Sequence, residues 1–119
     1  MSQLVTYNSL VGYELEKKRL ELGMEQGELA RKCGISQPVL SRLEKGKAGI
    51  GVDQLYVIAQ HLGVRPSDML KSVDNAVDAI QKEEAVEVKT TKEANDSQAG
   101  AMITGAAIGA VLALLLSRK

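Results

Sequence analysis

Gly34 constrains this chain more than any other residue. It stands in Cys33-Gly34-Ile35, between two short runs with helical spacing, Glu25–Lys32 and Gln37–Lys45. So few residues between two helices allow only a sharp corner, and glycine supplies the left-handed backbone that such a corner needs. In the first run Leu29 and Ala30 face inward, and Ala30 is small enough to admit a close neighbour. Gly27, near its start, costs about 1 kcal/mol against alanine. Ile35 plugs the space beneath the corner. Ser36 caps the second run, and Pro38 falls in its first turn, where a missing N–H does no harm. Val39, Leu40 and Leu43 form the buried face, leaving Gln37, Ser41 and Arg42 outside. Gly46 ends the run.

Three further helices surround this pair. Residues 1–8 carry little signal. From Ser9, a capping residue, LVGYELEKKRLELG places Leu10, Tyr13, Leu20 and Leu22 among charged positions, with Gly12 weakening the start and Gly23 as the stop. After the loop KAGIG, a helix over Val52–Leu62 presents Leu55, Ile58, Ala59 and Leu62 on one face, and a short fifth helix follows over Pro66–Leu70. The expected fold is therefore all-α, with a five-helix head and no strand signal. The chain has no Phe and no Trp. Its core must be Leu, Ile, Val and Ala, with Tyr7, Tyr13 and Tyr56 as the only rings.

The net charge is zero, but it is unevenly spread. Residues 1–72 hold ten Lys/Arg against eight Asp/Glu, and residues 73–98 hold three against seven. So mildly basic a head would grip a polyanion through the placement of individual cations rather than through its overall field. Cys33 is the single cysteine, which excludes an intrachain disulfide and a cysteine-built zinc site and fits a reducing cytosol. It reads as a small buried hydrophobe in the corner. His61 has no second ligand at metal spacing. No nucleophile stands with a base, so neither an enzyme nor a cofactor is expected. The opening MSQLVTYNSL lacks the charged start and apolar run of a secretory signal.

Two helices about a glycine corner are the layout that lays a second helix into the DNA major groove. The residues carrying a closer likeness run from Leu10 to Leu70: Arg19 with Gly23, Gln26, Leu29-Ala30, Gly34-Ile35-Ser36, Ser41-Arg42-Leu43-Glu44-Lys45-Gly46, then Leu55, Ala59 and Leu62-Gly63-Val64. In this register the head resembles the Cro/repressor-type (XRE) helix-turn-helix family. The resemblance implies a five-helix, repressor-like domain that binds double-stranded DNA sequence-specifically, usually as a homodimer on paired half-sites. It assigns Ser36, Gln37, Pro38, Ser41 and Arg42 to the groove. Gln37 can pair two-pronged with adenine and Arg42 with guanine, while Pro38 offers only an apolar contact. It assigns Gln26, Lys45 and Lys47 to phosphates, Gln26 beside the free N–H groups of a helix start. It makes Arg19 and Glu44 an ion pair between the first helix and the end of the groove helix. Ala48 and Ile50 depart from the basic residue and the proline that the family often has there.

Beyond the head, Val73, Val77 and Ile80 suit a short amphipathic helix within Ser72–Ala85, either covering the head or pairing with a second copy. Residues 87–100 read as a polar linker. Ala99–Leu116 holds no charge for eighteen residues, about 27 Å of helix and close to the thickness of a hydrocarbon core. Gly105 and Gly109 form a GxxxG pair on which membrane helices can pack. Lys89 and Lys92 before the run balance Arg118 and Lys119 after it, so charge leaves the orientation undecided, whereas a head that binds DNA must be cytoplasmic. The chain is thus expected to divide into a head (1–72), a helix and acidic linker (73–98) and an apolar helix (99–119). The leading expectation is a transcriptional regulator tethered to the inner membrane through 99–116. The alternative is an antitoxin-like or scaffolding component whose tail binds a protein partner or drives oligomerisation.

Overall fold

The structure, a computed structural model, describes residues 3–82, 86–96, 101–102 and 108–109. Helices α1 (Tyr7–Glu21), α2 (Gln26–Cys33), α3 (Gln37–Glu44), α4 (Val52–Leu62) and α5 (Pro66–Gln81) form the head. A short α6 (Thr91–Asp96) and three strands, β1 (Gln3–Thr6), β2 (Val86–Lys89) and β3 (Ala101–Met102), are added to it.

Helix α1 begins earlier than its sequence suggests. Thr6, not Ser9, is the cap. The Thr6 hydroxyl accepts from the Ser9 N–H at 3.0 Å, and the Ser9 hydroxyl accepts from the Thr6 N–H at 3.2 Å. This reciprocal box satisfies two otherwise orphaned donors, so the helix reaches back to Tyr7. Gly12 is a packing residue rather than a weak start. A Cβ there would fall 2.3 Å from the carbonyl oxygen of Leu43, so α1 and α3 meet backbone to backbone. Beneath them Leu10, Leu15, Leu29, Leu40, Leu43, Ile58 and Leu62 are fully buried. Each contributes roughly 1.5–3 kcal/mol.

The fifth helix does not stop at Leu70. It runs unbroken to Gln81 because Leu70-Lys71-Ser72 contains no glycine or proline, and the expected boundary at residue 72 falls inside it. Met69, Val73, Ala76 and Ile80 form one buried stripe that joins the core with α1. Of the two roles open to this segment, covering the head accounts for its apolar face.

The all-α expectation is corrected by the sheet. β1 lies between β2 and β3, parallel to both, with Gln3 opposite Val86 and Ala101, and Leu4 opposite Glu87 and Met102. Parallel partners this distant leave no hairpin signature, and the buried pair Leu4-Val5 shows no alternation. The expected polar linker thus contains a strand and a helix. The apolar helix expected from Ala99 is not seen at its start, where Ala101–Met102 pair their backbone with β1; Ile108–Gly109 are helical, and the rest of the run lies outside the described residues. Further on, Ile108 is buried in the head core and Gly109 lies against the Tyr13 ring. Gly105 falls outside the described residues. Among the described residues, no helix is long and apolar enough to cross a membrane.

Candidate nucleic-acid interface

The corner is built from backbone first. Gly34 adopts φ 73°, the Ile35 N–H reaches back to the Ala30 carbonyl at 3.0 Å, and the Ile35 side chain packs on the core. This glycine-capped end turns the chain directly into α3. Ser36 opens α3 by accepting from the Val39 N–H at 3.3 Å, with Pro38 in the first turn.

Leu40 and Leu43 anchor α3 to the core, and its other side faces outward. Ser36, Gln37, Pro38 and Arg42 are exposed and Ser41 is half-buried. Gln37 and Ser41 stand one turn apart, as do Pro38 and Arg42, so the five residues form one patch. Val39 does not join the buried face as expected. It is 41 % exposed, because Leu40 and Leu43 already define the inward stripe and Val39 flanks it. The patch therefore gains a branched apolar group. Lys45 and Lys47 are exposed just beyond α3, where Gly46 turns the chain at φ 72°. A Cβ on Gly46 would lie 2.4 Å from that of Ser9, so this turn is pressed against the start of α1.

Behind the patch sits a buried charge cluster. Arg19 Nε lies 2.8 Å from Glu44 Oε2, and Arg19 Nη2 lies 3.1 Å from Glu44 Oε1. Arg19 also donates to the Met24 carbonyl at 2.8 Å. Arg19 is 7 % and Glu44 2 % exposed. The paired, forked geometry is what makes such burial tolerable. Glu16, nearby on α1, has its carboxyl pushed up, first by partial burial and then by the Glu44 charge.

Gln26 is drawn into this cluster. Its amide donates to Glu44 Oε1 at 2.8 Å, and its carbonyl accepts from Gln37 Nε2 at 3.4 Å. Gln26 is therefore turned toward Glu44 and Gln37, and a hydrogen-bonded chain links Arg19, Glu44, Gln26 and Gln37. A Cβ on Gly27 would sit 3.2 Å from Gln37 Oε1, so this glycine gives the Gln37 amide its room. In sequence Gly27 is marked only as a weak helix residue; its place beside the first residue of α3 depends on how the two helices cross. Arg31 lines the same open depression with Gly27, Ala30, Ile35 and Gln37.

Cys33 is half-buried against the core, and burial pushes its thiol pKa up, which keeps it protonated and apolar in character. His61 is exposed on α4. Among the described residues, no three His, Cys, Asp or Glu side chains converge as metal ligands would.

The helix-turn-helix family model matches residues 15–69, from α1 into the start of α5. The chain is similar to the uncharacterized HTH-type transcriptional regulator y4dJ of Sinorhizobium fredii, 38% identical over 65 residues, covering 55% of this chain and 84% of that protein. It is similar to the control protein C.BamHI of Bacillus amyloliquefaciens, 32% identical over 62 residues, covering 51% of this chain and 76% of that protein. Among solved structures it resembles the clp gene regulator ClgR of Corynebacterium glutamicum, with a TM-score of 0.59 and 27% identity over 64% of this chain and 83% of that one.

Proposed function

The chain belongs to the XRE-type helix-turn-helix family, and from that premise we propose that it is a transcriptional regulator that reads duplex DNA by sequence through the outer face of α3. The observation that carries the reading is the pairing of an exposed patch with a pinned back. Gln37, Pro38, Ser41 and Arg42 lie on a helix whose far side is fixed by Leu40, Leu43 and Glu44. A held helix presents donors and acceptors in one geometry, which is what discrimination between base edges requires. Gln37 is the adenine reader and Arg42 the guanine reader. Ser36 and Ser41 serve bases or phosphates, and Val39 with Pro38 offers the apolar surface that a thymine methyl prefers. Lys45 and Lys47 hold phosphates. Gln26 has a double role: it braces Gln37 and lies where a phosphate would pass the start of α2.

Selection of full-length protein on a random duplex library tests this. The wild type recovers a defined site. Gln37→Ala with Arg42→Ala loses about 1–3 kcal/mol of discrimination at each base read and relaxes the site at those positions. If the double variant recovers the wild-type site unchanged, α3 does not read the groove.

The protein binds as a homodimer on two half-sites, so sedimentation with the selected duplex should give two chains per site. One chain per site would end that part of the proposal. The tether through 99–116 rests on the uncharged run alone. Against it stand Ala101–Met102 and Ile108, which the head itself uses. Recovery in washed membranes supports the tether, and recovery in the soluble fraction leaves this segment to the head. The antitoxin-like alternative predicts instead a soluble partner that co-purifies and is lost when residues 99–119 are removed.

A further inference from the structure

We infer that α6 provides a second DNA-backbone contact outside the helix-turn-helix, with Lys92 as the phosphate-binding group; the inference rests on the DNA reading above. The loop after α3 runs Lys47-Ala48-Gly49-Ile50. Ala48 and Ile50 are turned to the core, so this loop offers DNA a single cation, Lys47. The Asn8 side chain stands directly beside the loop. Its Nδ2 lies 3.5 Å from where a Cβ on Gly49 would be, and the same nitrogen donates to Thr91 Oγ1 at 2.7 Å. One asparagine side chain is thus all that separates the backbone of the phosphate-gripping loop from the first residue of α6.

Lys92 is the next residue, and it is exposed. A duplex seated on Lys45 and Lys47 carries its phosphates past Gly49 and Asn8 toward Lys92, which extends the cationic line beyond Lys47. α6 also carries two acidic residues, Glu93 and Asp96; the Glu93 carboxylate accepts from the Thr90 N–H at 2.9 Å and is held at the start of the helix. These two acidic residues limit the long-range field of α6, so the contribution of Lys92 is a local contact, felt within about one Debye length.

The salt dependence of binding reads such a contact directly, without knowledge of the operator. Full-length protein is titrated onto a labelled duplex of mixed sequence across a series of NaCl concentrations. Each phosphate neutralised adds about 0.9 to the slope of log K against log salt. K92Q lowers the slope by about one such unit, K92R retains it, and K71Q, which alters an exposed lysine on α5, leaves it unchanged. A K92Q slope equal to that of the wild type overturns the inference while leaving the DNA reading intact. A wild type with no salt-dependent affinity overturns both.

Discussion

Glu44, at the end of α3, ties that helix to α1 through Arg19 and to α2 through Gln26. Its carboxylate takes two hydrogen bonds from Arg19 and one from Gln26, and through Gln26 it reaches Gln37. Among the described residues no buried side-chain polar atom lacks a partner, so removing one member of the cluster exposes the rest to an unmet cost. Glu44→Ala leaves the Arg19 guanidinium buried and unpaired. We expect a loss of about 3–5 kcal/mol in urea unfolding. Replacing both members together, Arg19→Met with Glu44→Leu, should be far milder, because no charge is then stranded. A single variant as stable as the wild type would show that the cluster is not held as described. The pairing of Arg19 with Glu44 could be anticipated only through the family register. Residues twenty-five apart in sequence carry no mark of each other, and the inward turn of Gln26 depends on where Glu44 comes to rest.

At the scale of elements, the start of α1 is a junction. Thr6 and Ser9 cap it, Gly46 presses on it, Asn8 links it to α6, and Tyr7 donates its hydroxyl hydrogen to Asp74 of α5 at 2.8 Å. Burial, then the hydrogen bond to Asp74 and its charge, push the Tyr7 pKa from 10.0 to about 12. A raised pKa means that the fold favours the protonated phenol. The stabilisation is complete below pH 10 and is lost as pH rises from 10 to about 12. Across that window the urea midpoint of the wild type should fall more steeply than that of Tyr7→Phe. Equal slopes would mean that the Tyr7–Asp74 bond does not contribute. Helices α1 and α5 are legible in sequence, though not their bounds, because apolar spacing is a local signal; α6 is not, since its residues read as a polar linker. Nor is the sheet. A strand as short as Gln3–Thr6 earns its conformation from partners that lie more than eighty residues away.

Taken whole, the molecule is a helix-turn-helix head closed by its own C-terminal segment. β2 and β3 flank β1, Ile108 is buried in the core, and Gly109 lies against Tyr13. A chain ending at Lys82 would strip β1 of both neighbours and uncover Leu4 and Val5. Each kcal/mol lost lowers the melting temperature of a domain this size by roughly 4–8 °C, so the truncated chain should melt at least about 5 °C below the full one. Coincident melting curves would show that the head does not depend on this segment. The dependence also bears on the tether: a segment that leaves the head for a lipid phase must give up the strand pairing of Ala101–Met102 and the burial of Ile108.

The sequence by itself determined the glycine corner, the Ser36 cap and the apolar stripes of α2 and α4, because each is fixed by residues within a few positions of one another. Only the tertiary structure decided that Gln26 turns inward, that Val39 faces out, that α5 seals the head and that the C-terminal segment pairs with β1. These outcomes depend on contacts between distant parts of the chain. Such contacts are chosen by which surfaces remain uncovered once the local elements have formed, and no short stretch of sequence records that.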